Sequence, residues 1–268
     1  MGARAVCPWS SGQRPVDGTE LRVSFGPSAA RGPCRRRKAA GTTRFMHMSA
    51  RYNEDLVSEL KARYLELRGV IGKRLEEFRR LGEEGTDEEL FAELVFCLFT
   101  PQSKARQCWA AVERLCKSGL LICGEAGDIA AKLKGVRFHN TKAANLVALR
   151  RLFVRNGRLA VRETLDELGD DPRKLREWLV AHVRGMGYKE ATHFLRNIGR
   201  GQDMAILDRH VLRSLVELGV LEEMPQSLSR RRYMAIEQAM VELAGAMQMK
   251  VEELDLLLWC KETSDLFK

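Results

Sequence analysis

Residues 183–197 read VRGMGYKEATHFLRN, and ILDRH follows at 206–210. Gly185 and Gly187 bracket one residue, Lys189 comes two positions after the second glycine, and Asp208 comes nineteen after the lysine. A Gly-x-Gly hairpin turns tightly, and without Cβ atoms its backbone N–H groups can close on a phosphate. The lysine falls in the first turn of the helix that follows. There the positive end of the macrodipole disfavours an ammonium and favours a neutral, nucleophilic amine. Asp208 stands just before a helix beginning near Arg209, where a carboxylate caps the free N–H groups and is itself held rigidly. A nucleophile, a phosphate cradle and a carboxylate thus occur within 26 residues (185–210).

The elements that must position these groups are helical. Ala191, Phe194, Leu195 and Ile198 recur at i, i+3, i+4, i+7 and make one apolar face after the hairpin. Leu56, Val57, Leu60, Tyr64 and Leu67 form a second stripe, and Leu90, Phe91, Leu94, Val95 and Leu98 a third. Val211, Leu212, Leu215 and Val216 continue the pattern, as do Ile236, Met240, Leu243, Ala244 and Met247. Punctuation falls at GEEGTD (82–87), KGVRFHN (134–140), LGDDP (168–172) and IGRGQD (198–203). No strand-like alternation and no internal repeat occurs. The fold class expected is all-α.

The chain's 268 residues suffice for one substantial core or two lobes sharing a cleft. Its formal charge is +9, but residues 1–50 hold nine basic and two acidic side chains, which leaves +2 for residues 51–268. Net charge therefore does not by itself make the folded part a nucleic-acid binder. Cysteines at 7, 34, 97, 108, 116, 123 and 260 are odd in number and contain no Cys-x-x-Cys, which reads as reduced thiols in a cytoplasmic protein. No apolar run approaches the ~18 residues of a membrane span. Residues 1–45 are rich in Arg, Gly, Pro and Ser, including RRRK at 35–38. They are expected to be a disordered basic tail, or an extension upstream of a start at Met46 or Met48.

GMGYKEATHFLRNIG and AILDRHV resemble the helix-hairpin-helix DNA glycosylases, and more narrowly the type-2 8-oxoguanine DNA glycosylase/abasic-site lyases. FTPQSKARQCW (99–109), FHNTKAANL (138–146) and the terminal WCKETSDLFK extend the resemblance over residues 46–268. It implies two helical lobes flanking a cleft, one of about 46–82 with 201–268 and the other of about 83–200. Ten helical residues from Lys189 rise ~15 Å, and residues 199–207 can span up to ~30 Å, so the chain can bring Asp208 back beside the lysine.

The family's roles transfer by motif. Lys189 becomes the amine that attacks the sugar and holds it as a Schiff base, and Asp208 the carboxylate that stabilises positive charge on the sugar. Gln102 matches a polar wedge that fills the gap left by a flipped nucleotide. His210, Gly185 and Gly187 match phosphate contacts, and Lys142, with Asn140, makes a weaker DNA-binding pair. Trp259 lies in the apolar LDLLLWC, where it is either core or a wall of the base pocket. The Lys268 carboxylate would accept the hydrogen that 8-oxoguanine carries at N7 and repel the lone pair of guanine. The partner implied is double-stranded DNA containing 8-oxoguanine or abasic sites, bound by a monomer, with no membrane, no cofactor and no catalytic metal. Only Cys260 follows residue 123, so the four-cysteine iron–sulfur loop of some relatives cannot be built. Two other readings remain: a glycosylase/lyase for oxidised pyrimidines, and a helix-hairpin-helix DNA-binding module without catalysis.

Overall fold

The structure is a computed structural model that describes residues 52–263, with side chains to Lys261. Among these residues are eleven helices: α1 (Glu54–Glu84), α2 (Asp87–Phe99), α3 (Ala105–Lys117), α4 (Ala126–Lys132), α5 (His139–Phe153), α6 (Val161–Glu167), α7 (Pro172–His182), α8 (Tyr188–Asn197), α9 (Arg209–Glu217), α10 (Arg230–Ala246) and α11 (Val251–Thr263). The all-α expectation holds, with one small departure. Val154–Arg155 (β1) and Arg158–Leu159 (β2) pair antiparallel across Asn156-Gly157. Both turn residues have positive φ, 49° and 78°, as a two-residue hairpin requires. The Asn-Gly dipeptide was the sequence signal for it.

Helix boundaries follow local chemistry. Thr86 and Glu89 form a reciprocal capping box that starts α2 two residues after α1 ends. Asp171 caps α7, whose first residue, Pro172, lacks an N–H that would go unpaired there anyway.

The buried apolar side chains fall into two clusters. One runs from Leu90 to Met204 and includes Phe91, Phe96, Phe99, Phe153, Phe194 and Leu195. The other joins Leu60 and Ile71 of α1 to Leu207, Leu215, Met240, Leu243 and Leu257. The chain crosses between them at Met204 and Ala205. Each fully buried Phe or Leu contributes roughly 1.5–3 kcal/mol of transfer free energy, so the clusters supply most of the driving force for folding.

Helix α8 differs from the amphipathic element expected from its sequence. Besides Ala191, Phe194 and Leu195, the polar Thr192, His193, Arg196 and Asn197 are buried. Neighbours surround it on all sides: α7, α2 and α1 pack against it. Its polar groups therefore need internal partners. Asn197 Nδ2 donates to Glu93 Oε1 of α2 at 2.6 Å, and the Arg196 guanidinium lies 4.9 Å over the Phe78 ring of α1.

Close approach of α1 to the end of α8 depends on Gly82. A Cβ there would stand 1.9 Å from the Ile198 carbonyl oxygen, a backbone atom that cannot swing aside. Gly82→Ala should therefore destabilise the protein by ~3 kcal/mol, the upper end of overpacking costs. Urea unfolding checks this: an unchanged midpoint would mean that α1 and α8 are not in this contact.

Candidate active site

The chain leaves α7 at Val183 and enters α8 at Tyr188, so GMG forms the hairpin of a helix-hairpin-helix unit. Gly185 adopts φ +85°, and a Cβ on it would lie 2.2 Å from Nδ2 of the buried Asn145 on α5. Met186 is buried and its N–H donates to Val183 O at 3.1 Å. Gly187 precedes the first turn of α8, and its N–H donates to Glu190 Oε2 at 3.2 Å. Two hairpin N–H groups that the sequence left for phosphate are thus engaged within the protein, and Gly185 is required by the packing against Asn145.

Lys189 sits in the first turn of α8, as its spacing predicted. Its side chain is 23% exposed and its Nζ lies 3.0 Å from Glu190 Oε1. Nζ also donates to Thr100 Oγ1 at 3.4 Å. Thr100 ends α2, and its own hydroxyl donates to Cys97 O at 2.8 Å, so an oxygen lone pair remains for the lysine. The sequence reading singled out FTPQSK for Gln102 and passed over Thr100. Only the folded chain brings residues 89 positions apart together.

Lys142 is where the structure corrects the sequence reading. The residue is 5% exposed, and its ammonium donates to Phe99 O (2.6 Å), Pro101 O (2.8 Å) and Ser103 Oγ (3.0 Å). With three donors committed beneath the loop, it is a fastener and not an open phosphate contact. Burial holds its ammonium below the usual lysine range, and the nearby Lys189 charge pushes the same way. Burial likewise lifts the neighbouring Cys108 thiol to about 11, against the pull of Lys142 and Lys189.

The fastened loop carries Gln102 exposed at φ +55°, a conformation that non-glycine residues rarely adopt. Ser103 Oγ ties it to a second loop by accepting from Arg137 N–H at 2.9 Å. That loop carries Phe138, also at positive φ (56°) and 57% exposed. The sequence reading missed Phe138, although an aromatic residue inside a polar turn motif was the available signal.

Asp208 caps α9. Its Oδ1 accepts from the His210 and Val211 N–H groups, each at 2.8 Å, and takes both bonds. The capping role expected from the sequence therefore holds, and it fixes the carboxylate at a helix N-terminus. The His210 ring meets Trp259 of α11 edge to face, with centroids 5.6 Å apart. Trp259 is partly exposed and is not sealed in the core. Lys268 lies outside the described residues.

Beneath Asp208, Asp255 of α11 is buried with Oδ2 3.5 Å from Arg196 Nη1. Burial pushes this carboxyl up to about 7; Arg196 opposes the shift and the Asp208 charge adds to it. No group of three or more His, Cys, Asp or Glu suited to a metal occurs among the described residues, nor any helix long and apolar enough to cross a membrane.

The arrangement is an amine beside a hydroxyl acceptor, a capped carboxylate, and two loops presenting Gln102 and Phe138. A helix-hairpin-helix unit in an all-α chain marks a class of DNA-handling proteins. The family model for 8-oxoguanine DNA glycosylase (Ogg-HhH) matches residues 71–249. A protein of Fusobacterium nucleatum named 8-oxoguanine DNA glycosylase/AP lyase is 41% identical over 79% of this chain and 97% of its own length. One of Korarchaeum cryptofilum with the same name is 40% identical over 80% and 99%. The crystal structure of the Thermotoga maritima 8-oxoguanine DNA glycosylase superposes with a TM-score of 0.71 at 35% identity, covering 80% of this chain and 99% of that one. The Methanocaldococcus jannaschii 8-oxoguanine glycosylase/lyase, crystallised with a 15mer DNA containing 8-oxoguanine, gives 0.71 at 32%, covering 80% and 100%. The chain belongs to the 8-oxoguanine DNA glycosylase family.

The Asp255 environment makes stability depend on pH. A carboxyl raised from 3.8 to about 7 binds its proton more tightly folded than unfolded. Its contribution to stability is therefore greatest at acid pH and falls as pH rises through that window. Measured against Asp255→Asn, the wild type should lose stability between 3.8 and about 7 and run parallel above it. Urea midpoints of both proteins across that range test the sign. A difference that grows in favour of the wild type with rising pH contradicts it.

Proposed function

We propose that this chain is a bifunctional DNA glycosylase and abasic-site lyase that removes 8-oxoguanine from duplex DNA. The observation that carries the reading is Lys189 in the first turn after the hairpin, part-buried and 3.4 Å from Thr100 Oγ1. The relatives' names agree with it.

A damaged base inside a duplex is out of reach, so the nucleotide must leave the stack. Gln102 and Phe138 are exposed on neighbouring loops and would fill the gap it leaves. Gly185, Gly187 and His210 lie at the N-termini of α8 and α9, whose partial positive charge suits the phosphates flanking the flipped nucleotide. Lys189 in its neutral form attacks C1′ while the N-glycosidic bond breaks and its electrons leave with the base. Asp208, whose Oδ1 accepts two backbone N–H bonds, stabilises the positive charge that builds on the sugar. The nitrogen, cationic after attack, loses one proton; its lone pair then opens the sugar ring as O4′ takes up a proton, which gives a protonated Schiff base. The Schiff base acidifies the C2′ protons, and removing one expels the 3′ phosphate by β-elimination. Lysine chemistry thus accounts for strand cutting as well as base removal.

Trp259, partly exposed beside His210, serves as a wall of the base pocket, and Lys268 takes part in recognising 8-oxoguanine. The protein acts as a cytoplasmic monomer, associated with the nucleoid in a prokaryote. The basic side chains within residues 1–45 add nonspecific DNA affinity, and residues 46–268 carry the glycosylase activity.

Borohydride trapping and single-turnover cleavage test this on two duplexes, one with 8-oxoguanine and one with a preformed abasic site. The wild type should trap and cut both, and Lys189→Gln should bind both but trap neither. Deleting Lys268 should slow excision of 8-oxoguanine ~10- to 150-fold, the loss of a charged hydrogen bond, and spare the abasic site. Full trapping by Lys189→Gln removes the nucleophile assignment. Equal loss on both duplexes without Lys268 makes the terminus structural.

A further inference from the structure

Between the two apolar clusters lies an ion pair with almost no access to water. Arg176 of α7 is 1% exposed and Glu237 of α10 is 5% exposed. The guanidinium grips the carboxylate with two nitrogens, Nη1 on Oε1 and Nη2 on Oε2, the latter at 2.9 Å. The rings of Tyr188 and Tyr233 lie 5.7 and 5.8 Å from its central carbon. We propose that Arg176 and Glu237 are positioning residues for base excision, because this one pair sets the spacing between the helix that carries Lys189 and the segment that carries Asp208. The inference rests on the roles given above to those two residues.

Each end of the pair reaches one reacting group's support. Arg176 Nη1 also donates to Thr192 Oγ1 at 3.2 Å, and Thr192 lies on α8 three residues after Lys189. Glu237 Oε1 accepts the Ala205 N–H at 3.0 Å. Beside it, Tyr233 OH donates to Ala205 O at 2.7 Å and accepts from Leu207 N–H at 3.4 Å.

Residues 204–207 are buried but belong to no helix or strand. Their backbone groups have no ladder to bond into; Ile206 O accepts the Asp208 N–H at 2.9 Å, and side chains take up others. Glu237 and Tyr233 do so along the stretch that ends in Asp208. The register of Asp208 therefore follows Glu237, and Glu237 follows Arg176.

Stability does not explain such a pair. Desolvating two charges offsets their attraction, and apolar residues of similar volume often hold a fold equally well. Geometry does explain it, since a displacement of ~1 Å at a reacting centre costs on the order of 100-fold in rate. A bidentate guanidinium–carboxylate contact has little rotational freedom and suits that task.

The test uses the full-length protein and a cycle with Asp208→Asn. The apolar replacement Arg176→Leu with Glu237→Met should fold, with its midpoint lowered only by the Ala205 N–H left unpaired, and bind duplex with unchanged affinity. It should excise 8-oxoguanine ~100-fold more slowly in single turnover. Asp208→Asn should slow the wild type by ~100-fold, but slow the apolar pair by less than ~10-fold, because the carboxylate is already out of place. A merely structural pair would let the two losses multiply, and that result overturns the proposal, as does wild-type excision by the apolar pair. Should the apolar pair not fold, Glu237→Gln serves, since it keeps an acceptor for Ala205 N–H but loses the charge. It should show the same shortfall from multiplication. Glu237→Gln at the wild-type rate overturns the proposal. Asp208→Asn without effect on the wild type instead removes the role of Asp208, a different failure, and the positioning proposal falls with it.

Discussion

The contact between Arg176 and Glu237 is a constraint that both apolar clusters share. Each cluster can bury its own side chains without reference to the other, because hydrophobic burial is non-directional. Apolar packing alone would therefore tolerate small slides between α7–α8 and α10. A bidentate ion pair at 1% and 5% exposure does not. Moving one partner away strands a buried charge, at a cost of about 3–5 kcal/mol. Arg196 and Asp255 make a second, looser link at 3.5 Å between α8 and α11.

A similar logic governs the loops. Gln102 and Phe138 both hold a left-handed backbone conformation, which costs of order 1–3 kcal/mol for a non-glycine residue and persists only where surrounding contacts impose it. Here the contacts are the Lys142 ammonium beneath the first loop and the Arg137 N–H to Ser103 Oγ bond between the two. Lys142 also bonds Phe99 O, the last carbonyl of α2, where a positive charge meets the negative end of the helix dipole. One buried lysine thus both ends a helix and stiffens the surface that presents Gln102.

Much of this was legible in the chain. Gly-x-Gly before an apolar periodic run announced the hairpin and placed Lys189 in the first turn. Asp before Arg-His-Val announced the cap on α9, because capping depends on residues two and three positions away. What was not legible depends on distant partners. Lys142 in a polar stretch has the same local pattern whether it reaches solvent or the carbonyls of residues 99 and 101. Arg176 sits among other charged residues in RKLREW and Glu237 beside a glutamine in AIEQAM, so nothing local marks either as buried. The burial of Arg196 and Asn197 follows from helices closing on α8 from several directions, which a single helix's pattern does not encode. Thr100 escaped notice because its partner, Lys189, lies 89 residues away.

The central claim is that one lysine, Lys189, carries the covalent chemistry, although a second, Lys142, lies nearby with an ammonium that burial already weakens. Their surroundings separate them: Lys142 spends its donors on three oxygens under the loop, whereas Lys189 is part-exposed beside Thr100 and Glu190. Peptide mapping by mass spectrometry of the borohydride-reduced complex with 8-oxoguanine DNA reads the answer directly. The account predicts the reduced sugar adduct on the peptide containing Lys189. An adduct on the peptide containing Lys142 would contradict it.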